Sequence, residues 1–253
     1  MTTSNRIAIV TGGSRSLGRS TVLTLAERGV RSIFTYHSRP EEAGTVVALT
    51  REAGAEAVAL ALDTGDAGSF DGFAGRVGDA LAQFGAERFE YLVNNAGISD
   101  HTPFAALTED VLDRIYAVNL KGVLLLTQRL LPLMTDGGRI INISTGLTRF
   151  TTPDTIAYAS LKGAIEVFTL HLAKELGPRG ITVNTVAPGA IQTDFSGGIV
   201  RDNPEVNRRV AAMTALGRPG LPDDVGLIVS SLLSEDSRWV TGQRIEVSGG
   251  MNL

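Results

Sequence analysis

A chain of 253 residues, 43% of them hydrophobic, has the material for one large domain with a full core, and its net charge of −4 argues against a nucleic-acid partner. The absence of cysteine excludes disulfides and thiolate metal sites, and His37, His101 and His171 show no metal-ligand spacing, so no metal is expected. No apolar run approaches a membrane span and Met1–Arg6 leads into a strand without a signal peptide, so the expectation is a soluble, cytoplasmic protein with no membrane partner.

In chain order, Arg6–Thr11 reads as a strand that breaks into Gly12-Gly13-Ser14-Arg15-Ser16-Leu17-Gly18. A helix follows from about Leu17 to Arg28, stopped by Gly29. Strand, glycine-rich turn and helix together aim backbone N–H groups and a helix N-terminus at a phosphate. An ordinary βα turn is the plain alternative; three glycines in seven residues favour a dinucleotide. Further strands are expected at Ser32–Tyr36, Ala57–Leu62, Tyr91–Asn94, Arg139–Ser144, Thr182–Ala187 and Arg244–Val247, with helical patterns between them. That alternation predicts a single α/β domain over residues 1–253, its parallel sheet covered by helices on both faces. Thr108-Glu109-Asp110 opens a helix with a capping residue and acids in its first turn, expected to run past Asn119 to about Leu131, where Pro132 ends it. Asn119 is a poor helix former in its interior.

The helix expected over Thr155–Leu176 carries Tyr158 and Lys162 one turn apart on one face. A phenol holds its proton to about pH 10, and an adjacent ammonium lowers that value into the range useful for general acid–base work. Ser144 ends the run Arg139–Ser144, at the strand's carboxyl end, where open α/β sheets place their ligands. On the same helix Leu161, Ala164, Ile165, Phe168, Leu172 and Leu176 form the stripe expected to face the sheet. A second strip, Ala159, Gly163, Val167 and Leu170, calls for another cover, and a neighbouring subunit fits it.

Taken together, these stretches resemble the short-chain dehydrogenase/reductase family over essentially the whole chain. Thr11-Gly12-x-x-x-Ser16-x-Gly18 resembles its cofactor turn, Asn94-Asn95-Ala96-Gly97 the motif ending its fourth strand, and Asn119, Ser144, Tyr158 and Lys162 its catalytic set. Pro188-Gly189 with Thr193 resembles the segment that wraps the nicotinamide, and Ser248-Gly249-Gly250 the C-terminal turn. Within the family the chain is most similar to 3-oxoacyl-[acyl-carrier-protein] reductases and their relatives on other ketones. The resemblance implies a Rossmann-type doubly wound sheet and hydride transfer between a nicotinamide and a ketone or secondary alcohol.

In the roles so implied, Tyr158 exchanges a proton with the substrate oxygen, Lys162 lowers its pKa and binds the nicotinamide ribose, Ser144 holds the substrate oxygen, and Asn119 holds a water leading from Lys162 to solvent. Cofactor contacts are implied for Gly12, Ser14, Arg15, Ser16, Leu17, Gly18, Tyr36, Asp63, Asn95, Ala96, Gly97, Pro188, Gly189, Ile191 and Thr193, besides Tyr158 and Lys162. Two departures stand out. Ser16 replaces the middle glycine of the turn. The end of the second strand, Tyr36-His37-Ser38-Arg39, lacks the acid that grips a ribose 2′-hydroxyl, and Arg15, His37, Ser38 and Arg39 would suit a 2′-phosphate, so NADP(H) is expected. Ser99–Thr102, Thr145–Thr152 and a lid at about residues 190–214 are the candidate pocket walls, for a small carbonyl or alcohol substrate. A homotetramer is the implied assembly. A non-catalytic, redox-responsive NADP(H)-binding regulator is the alternative function.

Overall fold

The computed structural model describes residues 6–253. Seven strands, β1 (Ile7–Val10), β2 (Arg31–Tyr36), β3 (Ala57–Ala61), β4 (Phe89–Asn94), β5 (Met134–Ile143), β6 (Thr182–Pro188) and β7 (Arg244–Val247), form one sheet in the order β3-β2-β1-β4-β5-β6-β7. Every pairing is parallel. β1 is central and buried on both faces, which is why it is apolar at every position. Ile7 and Ile9 face one core with Phe73, Val77, Leu126 and Leu130; Ala8 and Val10 face the other with Val22, Leu25, Val225 and Val229. Helices cover both faces of this doubly wound Rossmann sheet: α1 (Ser16–Glu27), α2 (Pro40–Glu52) and α9 (Pro222–Leu232) on one, α3 (Phe70–Gln83), α5 (Gly122–Leu130) and α6 (Ile156–Leu176) on the other. The winding reverses between β1 and β4, opening a crevice at their carboxyl ends. Among the described residues no helix is long and apolar enough to cross a membrane.

The structure departs from the sequence reading in three elements. The helix expected to run unbroken past Asn119 is three pieces: α4 (Glu109–Tyr116), a π turn (Ala117–Lys121) and α5. Strand β5 begins at Met134, five residues early, with a register break opposite Phe89 and Tyr91. Residues 190–214 contain two short helices, α7 (Ile199–Asp202) and α8 (Pro204–Met213). The buried face of α6 is Tyr158, Lys162, Ile165, Thr169, Ala173 and Leu176, while Leu161, Phe168 and Leu172 lie half-buried on its flank.

That rotation follows from a polar ladder through the core. Asn94 Nδ2 donates to Thr127 Oγ1 (2.9 Å) and Asn142 Oδ1 (2.8 Å), Asn142 Nδ2 to Thr169 Oγ1 (2.9 Å), and Thr185 Oγ1 to Thr169 Oγ1 (2.8 Å). Buried amides and hydroxyls left unpaired would each cost about 1–3 kcal/mol, so pairing of the ladder sets how α6 is turned against β5 and β6. The ladder spans the carboxyl halves of β4, β5 and β6, next to the crevice.

Candidate active site

Because α6 is turned by that ladder, it presents Tyr158 and Lys162 inward, only 8% and 3% exposed. Lys162 Nζ donates to the carbonyl of Ile143 at 2.8 Å and lies 5.8 Å from the centroid of the Tyr158 ring. Burial lowers the ammonium to about 8. The same burial pushes the Tyr158 phenol above its ordinary value, and the Thr145 hydroxyl pulls it partly back. The expected direction, a phenol lowered by Lys162, is therefore reversed, with desolvation as the larger cause.

Ser144 is engaged within the protein. Its hydroxyl donates to Glu166 Oε1 at 2.8 Å and approaches Lys162 O at 3.2 Å. A hydroxyl has one proton, and a carboxylate only accepts, so this proton is committed away from any substrate. Side chains two apart on a strand share a face, and Ser144 shares with Asn142 the face covered by α6. Thr145 has the opposite parity and acts on Tyr158. Its Oγ1 accepts from Leu147 N (3.3 Å), which leaves the hydroxyl proton free to be given. The sequence reading gave Ser144 the substrate oxygen and placed Thr145 among the pocket walls; the parity of Asn142 and Ser144 was the available signal that the two hydroxyls face opposite ways.

Asn119 is completely buried in the π turn. Its Oδ1 accepts from Ile98 N (3.1 Å) and its Nδ2 donates to Ile98 O (2.9 Å). It thus clamps the segment after β4, and the π turn that delivers it is of a kind frequent at functional sites. A side chain on Gly97 would place its Cβ 2.8 Å from Asn119 Oδ1, so this glycine allows the chain to pass close to Asn119 and Lys162.

At the crevice, Gly12 has φ +66, and a Cβ on Gly18 would fall 2.1 Å from the carbonyl oxygen of Gly12. α1 begins here with no side-chain cap and no acid in its first turn, leaving its N–H groups to an anion. This cradle fits a pyrophosphate. Ser16, in the middle-glycine position, has φ 52. Asn95 Nδ2 donates to the carbonyls of Thr11 (2.8 Å) and Gly12 (3.1 Å), and the N–H groups of Asn95 and Ala96 both donate to Thr11 Oγ1 (2.9 Å), so these two residues brace the cradle. Ser14 is buried and Leu17 half-buried in the same turn.

The turn is tied to the end of β2 through Gly12 N to Thr35 Oγ1 (2.9 Å) and Gly13 N to Thr35 O (2.8 Å); His37, Ser38 and Arg39, which follow β2, are exposed, as is Arg15 in the turn. Arg39 pairs with Glu42 (2.7 Å), and His37 lies 3.7 Å from Asp63. On the far side, Gly189 packs against Ser248, Ile191 bridges to Gly220, and Thr193 Oγ1 accepts from Phe195 N (3.2 Å). Residues 190–214 approach Tyr158 through Phe195, whose ring centroid is 6.0 Å from that of Tyr158, and Ser196 lies 3.1 Å from His101 Nε2.

A family model described as enoyl-(acyl carrier protein) reductase matches residues 12–252, nearly the whole chain. The chain belongs to the short-chain dehydrogenase/reductase family. It is similar to LugOII, a promiscuous reductase that catalyses keto-reduction at C1 during lugdunomycin biosynthesis, with 40% identity, TM-score 0.94 and all of both chains covered. The angucycline C-6 ketoreductase LanV, solved with bound NADP, shares 35% identity at TM-score 0.93, over 99% of this chain and 96% of its own. The 3-oxoacyl-[acyl-carrier-protein] reductase FabG of Staphylococcus aureus is 34% identical over 248 residues, 97% of this chain and 98% of FabG. As a member of this family the protein is an oxidoreductase, and its likeness to 3-oxoacyl reductases is no greater than its likeness to ketoreductases of other kinds.

Proposed function

We propose that this protein is an NADP(H)-dependent ketoreductase acting on a ketone of an aromatic or polycyclic ring system, with Tyr158, Lys162, Thr145 and Asn119 as its active set. The observation that carries the reading is the burial of Tyr158 and Lys162 one turn apart, beside a glycine cradle open to a pyrophosphate. When bound, NADPH supplies the hydride to the carbonyl carbon. Tyr158 gives its phenolic proton to the carbonyl oxygen. Thr145 donates a hydrogen bond to that oxygen and stabilises the charge developing on it. Lys162 directs its remaining N–H groups to the nicotinamide ribose, and Asn119 keeps the Ile98 segment in place behind it.

Arg15, His37, Ser38 and Arg39 favour the 2′-phosphate of NADP(H), in keeping with the NADP seen in LanV. The substrate class rests on the keto-reductions named for LugOII and LanV and on the Phe195 ring beside Tyr158, a flat apolar wall. Residues 190–214 act as the lid. A homotetramer is the assembly, with α4, α5 and α6 at one interface.

NADPH oxidation with 1-tetralone, 9,10-phenanthrenequinone and acetoacetyl-CoA tests the reading. The ring ketones are expected to give the higher kcat/KM; faster turnover of the acyl thioester overturns the substrate class. NADPH is expected to be favoured over NADH by at least about tenfold, which needs only about 1.4 kcal/mol from the 2′-phosphate contacts. Equal kcat/KM for the two cofactors would count against the basic cluster.

A further inference from the structure

Two charged side chains that take no part in the chemistry above close around the strand end that carries Thr145. Glu166, on α6, receives three donors on Oε1: Ser144 Oγ (2.8 Å), Thr148 Oγ1 (2.8 Å) and Arg244 Nε (2.9 Å). Arg244, on β7, sends Nη2 to the Thr145 carbonyl (3.3 Å) and to Thr148 Oγ1 (3.0 Å), and Nη1 to Glu246 Oε2 (3.0 Å). Thr148 Oγ1 also lies 3.0 Å from the Thr145 carbonyl. The residue before Thr145, its own peptide carbonyl and the turn after it are therefore all held by this one ion pair. The side chains of Glu166 and Arg244 are only 19% and 26% exposed. Partial burial of two charges is offset only when the geometry is good and further hydrogen bonds support the pair, and here Glu166 Oε1 takes two hydroxyls besides the guanidinium, which itself reaches Thr145, Thr148 and Glu246.

A donor that must meet a developing oxyanion needs placement to a fraction of an ångström, and a 1 Å displacement can cost about a hundredfold in rate. Thr145 sits past the last paired residue of β5, where the sheet no longer restrains it. We infer that Glu166 and Arg244 are positioning residues that aim the Thr145 hydroxyl at the substrate oxygen beside Tyr158. The inference rests on the reading of Thr145 as the second donor, and it goes beyond that reading by assigning a supporting pair on two other elements.

A double-mutant cycle on the full-length protein with NADPH and the fastest ketone of the panel tests it. Thr145→Ala examines the underlying reading and is expected to lower kcat about a hundredfold. Glu166→Gln keeps the shape of the side chain and removes its charge. It is expected to lower kcat at least about tenfold with the NADPH dissociation constant unchanged, and to add nothing further in the Thr145→Ala background. Arg244→Lys keeps the charge and loses the fork to the Thr145 carbonyl, and is expected to show the same pattern should Glu166→Gln fold poorly.

Losses that multiply across the cycle, or wild-type kcat in both Glu166→Gln and Arg244→Lys, overturn the inference even if Thr145→Ala is inactive. Wild-type activity in Thr145→Ala overturns the reading beneath it, and the inference with it. Crystal structures of the wild type and Glu166→Gln give a readout independent of turnover: Thr145 Oγ1 displaced relative to Tyr158 is expected, and coincident positions overturn the inference.

Discussion

At Tyr158 the deciding quantity is burial. A phenol whose pKa is raised stays protonated at neutral pH, and the protonated form is the one ketone reduction consumes. Reduction should therefore proceed at neutral pH, whereas oxidation of the corresponding alcohol, which needs the phenolate, should gain rate only as the pH climbs into the alkaline range. Tyr158→Phe removes the proton donor and little volume. A loss of about 10²–10⁴-fold in kcat is expected, with NADPH binding retained by fluorescence titration; a variant keeping half the activity would show that Tyr158 is not the acid.

A different residue-scale tension sits in the cofactor turn, where Ser16 adopts the left-handed region at φ 52. That conformation costs a non-glycine residue about 1–2 kcal/mol, while glycine would lose about 0.4–1 kcal/mol through the entropy of its unfolded chain. Strain is the larger effect, so Ser16→Gly should raise Tm by a small amount in thermal melts of the cofactor-free protein. A lower Tm would mean that the serine side chain makes a compensating contact.

Among the elements, β7 does more than close the sheet. Glu246 accepts from Arg149 (2.6 and 2.7 Å), Ser248 (2.6 Å) and Arg244 (3.0 Å), and Arg149 in turn donates to the carbonyls of Met251 (2.5 Å) and Asn252 (3.2 Å). The Arg149 guanidinium, helped by Ser248 and Arg244 against the opposing effect of burial, lowers the Glu246 carboxyl to about 2. A folded pKa below the ordinary 4.5 means that the stabilisation is fully present above about pH 4.5 and fades as the pH falls towards 2. Glu246→Gln should accordingly melt below the wild type at pH 7, with the gap narrowing between pH 4.5 and pH 2. A gap independent of pH would remove the ionised carboxylate from the account. The C-terminal turn so anchored pairs through Met251 with Thr214, and Arg244 links the same carboxylate to the strand end at Thr145.

For the whole molecule the unsettled surface is the outer side of α6 and its neighbours. Val167 and Leu170 are 56% and 55% exposed, and Leu112 and Tyr116 on α4 and Leu125 on α5 are exposed as well. Because Leu161, Phe168 and Leu172 are only half-buried, the chain leaves more apolar surface uncovered than one sheet-facing stripe would. Packing against copies of itself across twofold axes covers such a face with each contact made twice. Light scattering at micromolar concentration is expected to give a tetramer mass, and Val167→Arg to give a smaller species with reduced activity, since Tyr158 and Lys162 ride on the same helix. A monomeric wild type overturns the assembly.

The sequence by itself determined the alternation of strands and helices, the parallel sheet, the glycine cradle and the pairing of Tyr158 with Lys162, because each is written in local periodicity or spacing. Only the tertiary structure decided how α6 is rotated, since that depends on Asn142 and Thr185 meeting Thr169 across the core. It alone broke the long helix at Asn119, where the Ile98 peptide, twenty-one residues away, claims both ends of the amide. It also gave Ser144 and Thr145 different partners. Two adjacent hydroxyls look alike in a sequence, and what separates them is a carboxylate on one helix and an arginine on another strand, groups that only folding brings to the same few ångströms.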